Sequence, residues 1–364
     1  MSVHGAPAKE YPKFDDEARH YDAILFMSFG GPEKPDDVVP FLENVTRGRG
    51  IPKERLEEVG EHYFQFGGKS PINEQNLALI AALEEELQEH GHDLPVYFGN
   101  RNWHPMINDT MQQMKDDGIK RALAFFTSGF SSWSGCRQYR ENIIAAQQFV
   151  GEDAPEIDKI RVFYNHPGFI YTMVDNIKVA LEEWSADERD KVQIVFTAHS
   201  VPMGQARHSA YVEQLTDACN IIADLLKTEN YTLVYQSRSG PPHVPWLEPD
   251  IVDYMGDISE KGIKDIVIVP IGFISDHMEV IFDLDTEAVQ AAEELGMKMV
   301  RAATVGTAKQ FVSMIRELIE ERMTANPDRK ALGSRGANHD ICPVDCCLPG
   351  ERPKRPTTPS VEKA

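Results

Sequence analysis

No apolar run in this 364-residue chain approaches the roughly 20 residues that a helix needs to cross a bilayer. The N-terminal stretch MSVHGAPAKEYPKFDDEARHYD has no basic segment followed by an apolar one, so no secretory signal is expected. Positive charge is scarce. Lys and Arg total 37 against 58 Asp and Glu, a formal net charge of −21. That balance argues against nucleic acid or an anionic membrane surface as the main partner. Cysteine is sparse too, and its count of five is odd, which speaks against a disulfide framework. No short internal repeat is evident. A soluble, cytoplasmic protein is the expectation.

What the chain does have is length and alternation. Its 364 residues exceed what one core usually serves, so two domains are expected. Strand patterns fall at 21–29, 96–98, 121–126, 160–164, 192–197, 233–235 and 266–269. Between them lie helical patterns at 36–45, 53–64, 72–90, 106–117, 136–150, 168–184, 208–227 and 249–260, with a last one near 307–324. Strands separated by helices predict βαβ units, hence parallel sheets covered on both faces. That many units predict two sheets. Beyond Asn326 the chain is polar, Pro-rich and loop-like.

The organising stretch is 265–287, DIVIVPIGFISDHMEVIFDLDTE. Its apolar start reads as a strand buried on both faces, broken by Pro270 and Gly272, with Ser275 and Asp276 as candidate caps for a following helix. Glu279, Asp283 and Glu287 then recur every fourth residue, which on a regular helix makes a ridge of carboxylates about 12 Å long. Such a row calls for a compensating cation or for plain solvation. Its place after a buried strand, where open α/β sheets bind ligands, favours cation handling. His199, in Thr197-Ala198-His199-Ser200-Val201-Pro202, ends another strand pattern at the same sheet edge. Neutral imidazole binds divalent metals and accepts protons near neutrality. Arg47 and Arg49 form a local basic pair that invites an anionic group, with a solvated loop as the plainer alternative. The loops carrying Trp246 and Tyr139 offer aromatic surface for a wide planar ligand, or equally for core anchoring.

These segments carry a resemblance. LFMSFGGP, GGKSP, TAHSVP, YQSRSGPPHVPWLEPD and ISDHMEVIFDLD, in that order over nearly all of 21–325, resemble the ferrochelatase family. The resemblance implies two similar Rossmann-like domains, each with a four-stranded parallel sheet, and a porphyrin cleft between them. The expected division is a polar leader (1–20), a first domain (21–165 with 306–326), a second domain (166–305) and a Cys-bearing tail (327–364). The implied reaction inserts Fe2+ into a porphyrin and releases two pyrrole protons. The resemblance makes His199 the metal-contacting proton acceptor, Glu279 its partner, and Asp283 and Glu287 an acidic path. It also implies a π-helical turn in this segment, which would alter the every-fourth-residue geometry. Phe29, Ser70, Tyr139 and Trp246 become porphyrin contacts, with Arg47 and Arg49 near the propionates. Phe29 stands where many Gram-positive relatives carry an iron-ligating tyrosine, and it has no oxygen to offer. His62 stands where relatives often have arginine.

A branch of the family holds a [2Fe–2S] cluster on one internal and three C-terminal cysteines. Cys136, Cys342, Cys346 and Cys347 match that set, four thiolates being the usual requirement. Adjacent Cys346 and Cys347 on one cluster would need an unusual backbone. A Zn2+ site on the same residues and a metal-free reactive tail are the alternatives. Cys219 shares an apolar helical face with Leu215, Ile222 and Leu226 and reads as core. The pattern resembles the actinobacterial branch acting on coproporphyrin III to give coproheme, with possible transient contact to a coproheme decarboxylase. The alternatives are the same reaction on protoporphyrin IX, and a non-catalytic tetrapyrrole or metal carrier.

Overall fold

The computed structural model describes residues 14–240 and 242–350. Residues 1–13 of the expected leader and the last fourteen residues of the expected tail lie outside them. In the first unit, β1 (Ala23–Ser28) is followed by α1 (Pro35–Val45), α2 (Lys53–Phe64) and α3 (Ile72–Glu89). Then come β2 (Val96–Asn100), α4 (Ile107–Asp116), β3 (Arg121–Phe126), α5 (Gln138–Val150) and β4 (Glu156–Lys159). The connecting helix α6 (Pro167–Leu181) leads to β5 (Gln193–His199), short α7 (Met203–Ala206) and α8 (Tyr211–Leu226). Next are β6 (Tyr231–Gln236), α9 (Ile251–Glu260), β7 (Asp265–Val269), short α10 (Met278–Ile281), α11 (Val289–Leu295) and β8 (Lys298–Arg301). Helix α12 (Lys309–Met323) closes the order.

The strands form two four-stranded sheets, β2-β1-β3-β4 and β6-β5-β7-β8, with every pairing parallel. The two orders are the same path traced twice. All six residues of β1 are buried, as expected of a strand covered on both faces. In such a sheet the chain leaves the first strand in opposite directions by successive crossovers, and ligands bind at that switch point beyond the strands' carboxyl ends. The switch points here lie between β1 and β3, and between β5 and β7.

Three expectations need correcting. The apolar run 160–164 is buried but leaves the sheet, the edge strand being the preceding Glu156–Lys159. Ile160 makes one last ladder bond to the Ala124 carbonyl (2.9 Å). Its followers then turn into the core beneath α6 and α12, where buried Arg161 must meet Glu321 (2.8 Å). Strand β8 has a weak pattern, its residues only partly buried, and has no counterpart among the expected strands. Ser275 and Asp276 cap nothing. The helix starts at Met278 behind His277, and Asp276 instead pairs with Arg301 of β8 (3.3 Å).

The polar tail has no helix or strand over 327–350, yet it is docked rather than hanging. Asp340 takes Arg329 (2.9 Å) and lies 3.6 Å from Arg322. Asn165 donates to the carbonyls of Leu332 and Gly336.

Candidate active site

His199 is the last residue of β5, and the loop after β7 runs beside it. Gly272 donates to the Thr197 carbonyl (3.1 Å). A Cβ on Gly272 would come within 2.8 Å of the Ala198 Cβ and 2.9 Å of its Cα, so only glycine lets these strand ends approach so closely. The His199 ring is fixed by its Nδ1, 2.5 Å from the Ser200 carbonyl. A carbonyl can only accept, so Nδ1 carries the proton and Nε2 presents its lone pair outward. Tyr211 donates to the His199 carbonyl (3.0 Å), and Ser200 is held by the Gln236 and Leu247 carbonyls (2.8 Å each).

Glu279 opens α10. Its side chain keeps 36% of its surface exposed, and Oε2 lies 2.8 Å from His277 Nδ1. Burial pushes the Glu279 pKa up, but His277, with a smaller pull from His199, outweighs it and brings it down to about 2. The carboxylate therefore stands ionised, close enough to His199 to feel that ring's charge when Nε2 takes a proton.

The ridge does not continue regularly. Residues 283–288 form a π-helical turn in which Glu287 donates to the Phe282 carbonyl, five residues back (3.0 Å). Asp283 turns to the end of β6, where Ser237 donates to its carboxylate and Gln236 spans from it to the Glu279 carbonyl. Glu287, more exposed, feels Asp250 instead. Burial first, opposed by the Ser237 bond and aided by repulsion from Glu279 and Glu287, raises the Asp283 pKa to about 7. Burial, then Asp250, raises Glu287 as well. The repulsion expected of the row is thus relieved locally, by His277 at one end and by hydrogen bonds and protonation further on. Ser237 holds φ +60° to do this, a left-handed backbone uncommon outside glycine.

The first unit faces this segment through α2. His62 stacks on Phe282, with centroids 3.9 Å apart and planes 10° from parallel. Burial, then the Arg55 charge, lowers its pKa. Tyr63 follows, its hydroxyl pKa pushed well up by burial and by the Glu279 and Asp283 charges. From α3, Gln75 accepts from the Asp276 amide (2.7 Å).

At the first sheet's switch point, Phe29 packs edge-on to Phe41 (6.2 Å). Buried Tyr139 sits against Phe126 (4.9 Å). Arg101 spans both, 4.7 Å over the Tyr139 ring and 5.7 Å from Phe29, tied by its side chain to Asn142 (2.8 Å). Sequence reasoning missed Arg101. Its only signal was its place after β2, two residues from Trp103. Ser70 is 3% exposed, its amide bound to the Pro32 carbonyl (2.8 Å) and its Cβ beneath Gly31. Arg47 and Arg49 are exposed. Arg47 donates to Asn44. Trp246 pairs with Pro202, three residues after His199, and its indole nitrogen is buried without a partner.

The four cysteines converge, Cys136 of the first unit meeting the three that lie close together in the tail. A second π-helical turn, residues 133–137, buries Cys136. Arg137 reaches the carbonyls of Val344 (2.8 Å) and Cys346 (3.0 Å). The sulfurs close a ring in which Cys136 neighbours Cys342 and Cys347, and Cys346 neighbours the same two. Cys346 and Cys347 sulfurs are 3.4 Å apart. The unusual backbone is present: Cys347 has φ +56°. Lys159 faces the ring. Burial opposes its charge, but the Cys342 and Cys136 sulfurs outweigh this and raise its pKa. Cys219 is buried on α8, 1% exposed.

The Ferrochelatase family model matches residues 21–323. This chain belongs to the ferrochelatase family. It is 54% identical to the ferrochelatase of Rhodopirellula baltica, the match covering 92% of this chain and 95% of that relative. It is 51% identical to the coproporphyrin III ferrochelatase of Streptomyces coelicolor, covering 93% and 96%. Among solved structures, SirB from Bacillus subtilis with Fe3+ superposes with a TM-score of 0.48 at 12% identity, covering 84% of this chain and all of that one. His199, Glu279, Asp283, Glu287, Cys136 and both switch-point loops fall inside the ferrochelatase match. Cys342, Cys346 and Cys347 fall outside it.

Proposed function

We propose that this ferrochelatase inserts Fe2+ into coproporphyrin III, giving coproheme for haem synthesis. The observation that carries the reading is His199 Nε2, bearing a lone pair, beside an ionised Glu279 at a sheet switch point. Relatives named for this substrate support it at 49–51% identity over nine-tenths of the chain.

A planar macrocycle resists metalation because its N–H groups fill the centre. His199 Nε2 accepts the two pyrrole protons in turn, passing the first on before it takes the second, and Glu279 balances the incoming cation. Asp283, with a pKa of about 7, both takes up and gives back protons near neutrality, passing them toward exposed Glu287. Phe29, Tyr139 and Trp246 line the ring, and Ser70 backs the Gly31 turn. Arg47 and Arg49, joined here by Arg101, meet the propionates as charge-assisted donors. Phe29 offers no oxygen, so product iron gains no ligand from that position.

The domain boundaries 21–165 with 306–326, 166–305 and 327–364 are part of the reading, each of the first two holding one sheet. So is a cytoplasmic setting. No described helix is long and apolar enough to cross a membrane. A transient handover to a coproheme decarboxylase would suit a product that is an intermediate.

We further propose a [2Fe–2S] cluster on Cys136, Cys342, Cys346 and Cys347. The donor set fits. Two thiolates about 2.3 Å from one tetrahedral metal stand about 3.8 Å apart, near the 3.4 Å between the Cys346 and Cys347 sulfurs. Lys159 supplies positive charge facing them. Bound there, such a cluster supplies one-electron chemistry. The cysteines themselves tie the tail to the π-helical turn of the first unit.

Anaerobic Fe2+ insertion, followed by visible absorbance with coproporphyrin III and protoporphyrin IX in parallel, tests the substrate. Faster conversion of coproporphyrin III is expected. Preference for protoporphyrin IX would overturn the substrate, and binding of both without turnover would overturn the chemistry.

A further inference from the structure

The cysteine ring has a fifth donor beside it. A ring nitrogen of His339 and the sulfurs of Cys342 and Cys346 all lie within 4.8 Å of one another. His339 is held between two anchored neighbours. Asn338 accepts from Gln214 of α8 (3.2 Å), and Gln214 also accepts from the Ser131 amide (2.7 Å) in the loop leading to Cys136. On the other side Asp340 is buried against Arg329 (2.9 Å) and Arg322 (3.6 Å). A partly buried imidazole fixed at both flanks and placed on one edge of the sulfur ring is not a solvated side chain that happens to lie near.

We propose that His339 is a positioning residue of the cysteine site, donating an N–H hydrogen bond to the Cys342 sulfur. It is a donor and not a ligand, because each of the four sulfurs already has two sulfur neighbours, while His339 groups with Cys342 and Cys346 alone. Four thiolates complete the requirement of a two-iron cluster. A donor on a thiolate sulfur withdraws electron density from it, and such bonds raise reduction potentials of iron–sulfur sites. Lys159 acts on the same site, near Cys136 and Cys342. Cys342 is thus the sulfur most surrounded by donors. The inference rests on the cluster reading above.

The test uses the full chain, loaded anaerobically with iron and sulfide, as wild type, His339→Leu and His339→Gln. The expected result is equal iron and sulfide content, a potential shifted negative in the Leu chain, and partial return in the Gln chain, which keeps an N–H donor. Pulsed EPR of the reduced wild type should show a proton coupling that exchanges in D2O and is lost in the Leu chain. Unchanged potentials in both variants would overturn the inference, as would directly coordinated 14N in the wild type, which makes His339 a ligand. If the Leu chain does not load, the Gln chain decides, and a potential equal to wild type with no exchangeable proton sinks the idea. A wild type that takes up neither iron nor sulfide removes the cluster reading and this inference with it, an outcome distinct from loading without a shift.

Discussion

His277 Nδ1 lies 2.8 Å from Glu279 Oε2, yet the ring nitrogen lacks an aligned hydrogen bond. The pairing therefore acts through charge and proximity, and it is what keeps a carboxylate set deep in the site ionised. Glu279 is depressed to about 2 against the push of burial, so removing the imidazole releases that push. His277→Asn is expected to move the acid limb of the kcat/KM profile for Fe2+ insertion to higher pH, with losses of about tenfold at pH 6.5 and smaller ones at pH 8. An acid limb that stays where it was means that His277 does not govern Glu279.

His199 presents Nε2 because Nδ1 is committed to the Ser200 carbonyl. Its side chain supports little of the core, whereas the backbone around it is fixed by Ser200, Gln236 and Leu247. His199→Ala should lower metal insertion by about a thousandfold while leaving circular dichroism and porphyrin affinity close to wild type. Turnover within tenfold of wild type would remove His199 from the proton path.

The two sheets were legible because parallel strands buried on both faces leave plain apolar runs, as in β1 and β7. The edges were not. β4 was displaced by the more apolar 160–164, a connection that packs in the core instead of pairing. β8 has only four residues, none fully buried. His199 and Glu279 could be named because residue type and strand-end position coincide. What tunes them could not. Ser237 and Arg101 act through tertiary contacts that have no spacing signature, His277 is a neighbour of Glu279 whose pairing depends on the local backbone, and the π-helical turn, implied by the resemblance, has no periodicity of its own. The convergence of Cys136 with the tail rests on Arg137, whose contacts to the Val344 and Cys346 carbonyls cross more than 200 residues of chain.

Asp283 should leave a mark on stability. Its pKa is near 3.8 unfolded and about 7 folded, so between those values the folded protein binds the extra proton and its stability falls as pH rises. Below pH 4 the group is neutral in both states and exerts no penalty. Asp283→Asn removes the titration. The variant should gain on wild type as pH rises from 4 to 8, by about 2 kcal/mol once partial exposure is allowed for. Paired urea titrations at pH 5 and pH 8 measure the difference, and a gap that does not grow with pH would refute the raised pKa.

The sulfur ring predicts which cysteines matter. Replacing Cys136, Cys342, Cys346 or Cys347 singly by Ser should reduce bound iron and sulfide, and the visible absorbance of the purified protein, by more than half, since each completes a four-thiolate set. Cys219→Ser, in the core packing of α8, should leave loading unchanged. Zinc in place of iron and sulfide would identify the same sulfurs as a zinc site, and equal loading in all five variants would mean that the ring binds nothing.

Asp340 is the pin of the tail. Its side chain is 2% exposed, 2.9 Å from Arg329 and 3.6 Å from Arg322, with the buried Arg161–Glu321 pair nearby (2.8 Å). Asp340→Asn keeps the shape and removes the charge, leaving two guanidinium groups close together and under-compensated. Breaking a buried pair in this way costs about 3 kcal/mol, which should appear as a lower urea midpoint with an unchanged slope. Because Cys342 follows two residues later, iron loading should fall together with stability. Asp340→Asn combined with Arg329→Met removes the facing charge as well and should recover part of both. If the single variant loses loading but keeps its midpoint, the pin acts on the tail alone and the core does not depend on it. If it loses neither, Asp340 is a spectator, and the tail is held by the Arg137 and Asn165 contacts instead.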